Sequence, residues 1–219
     1  MAGLLGFDIS THNSDRHPIQ WSQIGTNNVQ FVFIKATEGA TYEDPWFDRH
    51  WTAAHSQNLV RGAYHFYRSN RTGKEQAVNI IKHVLQEAQL GSGDLPLAID
   101  VEELKSVDTQ HTSNSSISAF LEELKTCISS VEEVMGARPL IYTANYVWKA
   151  LGNPSQFEDY PLWIAFPDSA ASEPVLPSPF SEYSVWQYSF QGKLEEVTGP
   201  VDLDRFNGTD AAFKQLLLP

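Results

Sequence analysis

Two carboxylates separated by a single residue, Asp100 and Glu102, end a short apolar run at residues 97–99. On a β-strand, side chains two residues apart point to the same side, with Cβ atoms about 6 to 7 Å apart, so both acids can face one ligand. Carboxyl groups held close together raise one another's pKa, which lets one stay protonated as a general acid while another is ionised. An Asp-x-Glu pair is common in acidic chains, and its position at the end of an apolar run is what favours catalysis.

The elements that position this pair follow from the hydrophobic pattern. Short runs rich in Val, Ile, Phe and Tyr predict eight β-strands, at residues 4–9, 30–36, 60–67, 95–101, 139–143, 162–166, 183–188 and 200–203. Between the earlier runs lie three helical patterns, which begin at Asp44-Pro45, at the capping-box sequence 72–75 and at Ser113. Apolar strands that alternate with amphipathic helices predict parallel pairing buried on both faces. The sequence therefore predicts an α/β barrel similar to a TIM barrel.

The last third of the chain departs from this alternation. Residues 167–181 are rich in Pro, Ser and Ala, and residues 189–199 are too short and polar for a crossover helix. We therefore expect antiparallel hairpins between the final strands, so that βα units come first and β-only strands close the barrel. Residues 1–219 are predicted to form one domain, because nothing in the length or composition requires two.

Catalytic groups of α/β barrels collect at the carboxyl ends of the parallel strands, so the residues that end each predicted strand are the candidates. They are Asp8, Lys35 with Glu38, Tyr64 with His65, Asp100 with Glu102, Tyr142, Trp163, Trp186 with Gln187, and Asp202 with Asp204. Several buried acids with one nearby cation, Lys35, would be costly as purely structural groups. Aromatic side chains beside them offer flat faces for sugar rings. An acid pair surrounded by aromatic residues indicates glycoside hydrolysis.

Several of these residues also have structural interpretations. Glu38 can pair with Lys35 or support the site, and His65 is more typical of a hydrogen-bonded core histidine than of a catalytic base. Asp202 and Asp204 lie on one face of their strand, and Asp204 could instead pair with Arg205 or face solvent. Two rival functions stay open. The first is a metal-dependent hydrolase in which the four acids bind Mg²⁺ or Ca²⁺, and the second is a glycan-binding barrel without activity.

The order of motifs resembles glycoside hydrolase family 25, the Ch-type lysozymes, over essentially the whole chain. The matching segments are residues 6–10 with His12, then 33–39, 62–66, 100–102, 140–143, 162–165, 186–189 and 201–204. Each segment is modest alone, but eight in the same order are specific. The resemblance implies a modified barrel in which about five βα units precede three β-only strands. It also implies cleavage of the β-1,4 bond between N-acetylmuramic acid and N-acetylglucosamine in peptidoglycan.

The resemblance assigns roles to the candidate residues. Glu102 would be the general acid, and Asp100 would orient the substrate's 2-acetamido group as it attacks the anomeric carbon, which gives retention through substrate assistance. Asp8 and Asp202 would complete the catalytic set, with Asp202 preferred over Asp204 on the motif alone. Residues predicted to bind substrate are Tyr64, Tyr142, Trp163, Trp186, Glu38 and His12. No cofactor or metal is expected.

Charge and composition limit the partners. A net charge of −12 without a Lys/Arg cluster argues against nucleic acid. The same charge would slow encounter with an anionic cell wall unless salt screens it. We find no signal peptide and no apolar segment long enough to span a bilayer, and Cys127 has the helical spacing of a core residue. We therefore expect a monomer that acts on the bacterial wall from outside, as a secreted enzyme or phage-type lysin, with no membrane partner.

Overall fold

The structure is a computed structural model that describes residues 3–15, 18–24, 28–107, 114–168 and 170–219, without the side chains of residues 114 and 115. The strands within these ranges are Leu5–Ile9 (β1), Val29–Glu38 (β2), Tyr42–Glu43 (β3), Val60–Phe66 (β4), Ala98–Asp100 (β5), Leu140–Ala144 (β6), Leu162–Ala165 (β7), Val185–Gly192 (β8) and Val201–Phe206 (β9). The α-helices are Trp21–Ile24 (α1), Phe47–Ser56 (α2), Gly73–Ile80 (α3), Asn114–Met135 (α4), Asn145–Ala150 (α5) and Asp210–Leu216 (α6). A π-helical segment, Ile81–Glu87, continues α3.

Eight of the strands close into a barrel in the order β1-β9-β8-β7-β6-β5-β4-β2, because β2 also pairs with β1. The short strand β3 forms a hairpin with the end of β2. Every predicted strand is present, and the predicted modified TIM-like fold is confirmed. Five strands that are each followed by helix come first, and β7, β8 and β9 complete the barrel.

One detail of the predicted closure is wrong. Strands β7 and β8 are parallel, and only β9 runs antiparallel, pairing with both β8 and β1. The chain returns from the end of β7 to the start of β8 through residues 166–184, and the described residues of this connection, 166–168 and 170–184, include no helix. The prediction failed because a parallel connection requires enough chain to cross the sheet, and irregular chain of this length suffices.

Side-chain caps mark the starts of two helices, α3 and α6. At Thr72 both bonds of the predicted capping box are present, since Glu75 N donates to Thr72 Oγ1 at 3.3 Å and Thr72 N donates to Glu75 Oε2 at 3.2 Å. Helix α6 was not predicted, although Thr209 caps its first turn by accepting from Ala212 N at 3.3 Å. Phe213, on helix α6, packs against the rings of Phe31 and Phe206, with ring centroids 5.5 and 5.0 Å apart.

The barrel interior has an apolar end and a polar end. Around Phe31 and Phe33, large side chains fill the end where the parallel strands begin, and Phe213 covers it. Gly6 and Gly62 make room for these rings, since a Cβ there would lie 2.3 Å from Phe31 and 2.6 Å from Phe33. Because that end is closed, the open end of the interior lies at the carboxyl ends of the parallel strands.

Candidate active site

A cavity of about 360 Å³ opens at the carboxyl ends of the parallel strands. Its lining brings together most of the predicted site residues: Asp8, His12, Tyr64, Asp100, Glu102, Tyr142, Trp163 and Asp202. Ser10, Lys35, Phe66, Gln187 and Phe190 complete the lining. Four acidic side chains therefore share this cavity with one lysine among the residues described.

Asp100 and Glu102 lie on the β5 side of the cavity in different surroundings. Asp100 is 5% exposed, and its Oδ1 is buried without a hydrogen-bond donor among the described residues. Burial and the nearby Glu102 carboxylate raise the pKa of Asp100 well above its usual range. Glu102 lies at the exposed mouth, where partial desolvation raises its pKa although Lys35 opposes the rise. The pair can therefore hold a proton at neutral pH.

A chain of hydrogen bonds crosses the opposite wall. Tyr142 OH donates to Gln187 Oε1 at 2.7 Å, and Gln187 Nε2 donates to Asp8 Oδ2 at 2.6 Å. The same amide lies 3.5 Å from Asp202 Oδ2. Burial and the Asp202 charge raise the pKa of Asp8 to about 8, and burial raises that of Asp202 to about 6. Asp8 and Asp202 are cross-strand partners of β1 and β9, which holds these two acids side by side.

Asp204 lies inside the barrel, so the interpretation that it faces solvent or pairs with Arg205 is wrong. It is fully buried, and Trp163 Nε1 donates to its Oδ1 at 2.8 Å. Burial and the nearby Asp8 carboxylate raise its pKa well above the usual range. Its Oδ2 is buried without a hydrogen-bond partner among the described residues. Asp204 thus lies in the barrel core below the wall that carries Asp8.

The aromatic lining is a packed cluster with limited free surface. Trp163 is 2% exposed and stacks on Phe33 with ring centroids 4.2 Å apart. The rings of Tyr142 and Tyr64 meet Trp163 edge-on at 4.7 and 6.2 Å. Trp163 therefore forms the floor of the cavity, whereas Phe190, which is 42% exposed, offers an open ring at the rim.

The arrangement places this chain in a known family. The sequence profile described as Glycosyl hydrolases family 25 matches residues 7–197. The chain belongs to glycosyl hydrolases family 25. Lysozyme M1 of Streptomyces globisporus is 28% identical over 96% of this chain and 70% of its own length. The uncharacterized protein YegX of Escherichia coli K12 is 29% identical over 93% of this chain and 70% of its own. The crystal structure of the bacterial lysozyme from Streptomyces coelicolor matches with a TM-score of 0.85 at 28% identity, covering 99% of this chain and 98% of that one.

Trp186 is a predicted substrate-binding residue that the fold places elsewhere. It does not line the family 25 cavity, and it is 2% exposed in the outer core, with Nε1 donating to Phe166 O at 2.7 Å. Alternation along β8 explains the error, because Gln187 points into the barrel and its neighbour must point out. Gln187 is therefore the residue that β8 contributes to this wall.

Glu38 also lies outside the catalytic cavity. Its Oε2 accepts from Lys35 Nζ at 2.6 Å, and its Oε1 accepts from Arg68 Nε at 2.8 Å. Both oxygens are thus occupied, and these two cations hold the pKa of Glu38 below its usual value despite partial burial. These contacts agree with the interpretation of Glu38 as the ion-pair partner of Lys35. Through this pair, Glu38 positions Lys35 at the edge of the cavity.

The loop that carries His12 is fixed to the segment after β3. Thr11 N donates to Asp44 Oδ2 at 2.9 Å, and Trp46 Nε1 donates to Asp15 Oδ1 at 3.1 Å. Ser10 caps the short helical turn by accepting from His12 N at 3.3 Å. These contacts hold Ser10 and His12 over the cavity of the family 25 domain.

Lys35 and Gln187, two of the strand-end candidates without an assigned role, line the cavity, and Phe66, Phe190 and Ser10 are lining residues that were not among the candidates. Alternation explains the position of Lys35, since Phe31 and Phe33 precede it on the face of β2 that points into the barrel. His65 does not line the cavity, because it follows Tyr64 on β4 and lies on the opposite face of that strand. It is fully buried, and its ring nitrogens contact Thr37 Oγ1 at 2.8 Å and Gln76 Oε1 at 3.2 Å. The core-histidine interpretation agrees with this environment, which lowers its pKa to about 4.

The geometry does not favour the metal-dependent rival. Among the described residues, no three of Asp8, Asp100, Glu102 and Asp202 offer oxygens within 4.8 Å of one another. The group that does meet this distance, Glu43, His83 and Glu87, does not line the cavity. The four acids are therefore spread around the walls of the cavity.

Proposed function

We propose that this protein is a lysozyme that hydrolyses the β-1,4 bond between N-acetylmuramic acid and N-acetylglucosamine in bacterial peptidoglycan. The observation that carries the proposal is Asp100 next to Glu102 in the family 25 cavity, where Asp100 Oδ1 is a buried acceptor that no donor of the described residues reaches. Membership of the family and the similarity to a lysozyme of known structure support it.

Glu102 is the general acid. Its carboxyl lies at the cavity mouth, and partial desolvation raises its pKa, which favours the protonated form that gives its proton to the oxygen of the bond that breaks. Substrate that covers the mouth removes water from Glu102 and strengthens its hold on the proton until transfer. The proton then moves to the departing sugar hydroxyl as the bond from that oxygen to the anomeric carbon breaks.

Asp100 orients the acetamido group of the substrate and stabilises the charge that develops on it. The carbonyl oxygen of that group attacks the anomeric carbon from the face opposite the leaving group, and its N–H donates to the unpaired Asp100 Oδ1. This donor stabilises ionised Asp100, so the proton shared by the two acids stays on Glu102. Positive charge that develops on the cyclised acetamido group is balanced by the Asp100 carboxylate.

Water completes the reaction. Ionised Glu102 takes a proton from a water molecule that attacks the anomeric carbon from the face the leaving group has vacated, and the acetamido bond breaks. Two inversions give net retention. Asp8 and Asp202 set the electrostatics of the opposite wall, and the bond from Gln187 to Asp8 fixes its orientation.

Product analysis tests this proposal. Purified peptidoglycan digested by the protein should release fragments with muramic-acid reducing ends, identified by mass spectrometry after borohydride reduction. Glucosamine reducing ends would show a different specificity. Activity lost in EDTA and restored by Mg²⁺ would support the metal-dependent rival, and binding without new reducing ends would support the non-catalytic one.

The setting of this activity is part of the proposal. We infer that the protein is a single-domain monomer. We also infer that it acts on the bacterial cell wall from outside, as a secreted enzyme or a phage-type lysin. Within the described residues, no helix combines the length and apolar character needed to cross a membrane. Gel filtration with light scattering tests the oligomeric state, and a mass of one chain, 24.6 kDa, is the expected result.

A further inference from the structure

A second cavity, of about 280 Å³, lies beside the catalytic one over the ends of β2, β4 and β5. Its lining includes three cationic side chains, Arg68, Arg71 and Lys105, and two carboxylates, Glu38 and Glu103. Three cations against two carboxylates give this lining a net positive charge in a chain whose net charge is −12. We call this cavity the basic pocket.

The two carboxylates of the basic pocket are already satisfied by the protein. Glu38 is held by Lys35 and Arg68 through both oxygens. Glu103 accepts from Ser69 N and Ser69 Oγ at 3.0 and 2.9 Å through Oε2, and from Lys105 N at 2.6 Å through Oε1. These donors hold the pKa of Glu103 below its usual value. Neither acid needs a further cation.

The cations, in contrast, have unused donors. Neither the Arg71 guanidinium nor the Lys105 ammonium makes a hydrogen bond or an ion pair within 4 Å among the residues that the structure describes. Arg71 contributes to lowering the pKa of Glu75, but the Glu75 carboxylate already accepts hydrogen bonds from Thr72 N and Thr72 Oγ1 in the capping box. Both cations are exposed. The pocket therefore offers two positive groups to an anion from outside.

The basic pocket adjoins the catalytic cavity. Glu102 lines one cavity and its chain neighbour Glu103 lines the other. Lys35 and Arg68, which share Glu38, both lie over the ring of Phe66, at 4.8 and 4.7 Å from its centroid. Lys35 and Phe66 line the catalytic cavity, and Glu38 and Arg68 line the basic pocket, so these four side chains form a ridge shared by the two cavities. A substituent on a sugar bound at Glu102 would cross this ridge to enter the basic pocket.

We propose that the basic pocket binds a carboxylate of the peptide stem that muramic acid carries in peptidoglycan. This inference rests on the proposed function. Each muramic residue bears its peptide on the lactyl ether, and that peptide has free carboxylates that suit Arg and Lys. The pocket also gives an acidic enzyme a local attraction for an anionic polymer, since like charges elsewhere on its surface oppose encounter.

Three substrates test the inference: glycan strands with intact stems, strands stripped of stems by an amidase, and strands whose stem carboxylates are converted to amides. The double variant Arg71→Ala/Lys105→Ala should raise KM about tenfold on intact strands with kcat unchanged, as expected for two charge-assisted contacts at a partly solvated site. On stripped and amidated strands it should match the wild type. A control variant, Lys125→Ala/Lys214→Ala, removes the same charge from exposed positions outside both cavities and should match the wild type throughout.

The outcomes separate the two proposals. No difference between the double variant and the wild type on intact strands overturns the stem site, and so does an equal loss on all three substrates. A loss confined to stripped strands would identify the free lactyl carboxylate as the anion instead and also overturns it. If the wild type releases no muramic-acid reducing ends from any strand, the proposed function itself fails.

Discussion

Glu102 and Glu103 are consecutive in the chain, but their carboxylates lie in different cavities. Glu103 accepts three hydrogen bonds from Ser69 and Lys105, and its pKa is lowered. In the part of the chain that the structure describes, no donor hydrogen-bonds Glu102, and partial desolvation raises its pKa. The same side chain thus becomes a fixed anion in the basic pocket and a proton source beside it, because local donors and solvent decide its protonation.

The contrast extends to the acids around each glutamate. In the catalytic cavity, burial raises the pKa of Asp8, Asp100 and Asp202. Beside the basic pocket, Lys35 and Arg68 neutralise Glu38. A glycosidase needs a proton at the bond that breaks and negative charge elsewhere, and this division supplies both.

Replacing the proton donor should have the largest effect. Glu102→Gln removes the transferable proton at constant size, so we expect kcat to fall by about 10³-fold, within the range of general acid catalysis. Release of reducing ends from peptidoglycan measures the rate, and circular dichroism checks the fold. Wild-type turnover by this variant would remove Glu102 from the mechanism.

Stability should depend on pH because the catalytic acids hold protons. The pKa of Asp8 is raised from 3.8 to about 8, so its contribution is complete below about pH 4 and is lost as pH rises towards 8. His50 and His65, with pKa values lowered to about 4, oppose this trend only below about pH 6.5. Between pH 6.5 and 8, Asp8 should therefore lower the free energy of unfolding by about 2 kcal/mol.

Urea unfolding at several pH values in that window, for the wild type and Asp8→Asn, measures this dependence. The amide does not titrate and can still bond Gln187, so the variant should lose stability less steeply than the wild type. Equal slopes would mean that Asp8 is ionised in the folded protein at neutral pH.

The buried Asp204 tests whether a protonated acid supports the catalytic wall. Asp204→Asn keeps the size of the side chain and an oxygen that accepts from Trp163 Nε1, so its kcat should stay within about threefold of the wild type and its stability should be kept. Asp204→Ala leaves the Trp163 N–H without its acceptor and should destabilise by about 2 kcal/mol. Chemical denaturation and kinetics of both variants separate these effects. An asparagine variant as damaged as the alanine variant would mean that Asp204 acts as an anion.

Much of this arrangement follows from local sequence rules. Short apolar runs located the strands, a capping box located the start of α3, and strand ends located Asp8, Asp100 and Glu102. The outward direction of Trp186 could have been predicted by period-two alternation along β8 once Gln187 was placed inside the barrel. The ion pairs of Glu38 could not, because Arg68 lies thirty residues away in the chain and meets Glu38 only where β2 and β4 pair.

The smallest expected effect comes from the other glutamate, and it completes the comparison with Glu102. Glu103→Gln keeps one carbonyl oxygen for the donors of Ser69 and Lys105 but turns the second oxygen into an amide group, so the free energy of unfolding should fall by about 1 kcal/mol. Its kcat should stay within about twofold of the wild type, since the side chain faces the basic pocket. Urea denaturation and reducing-end assays beside Glu102→Gln measure both quantities. A loss of kcat as large as that of Glu102→Gln would show that the two glutamates act together, and that the ridge between the cavities does not separate their functions.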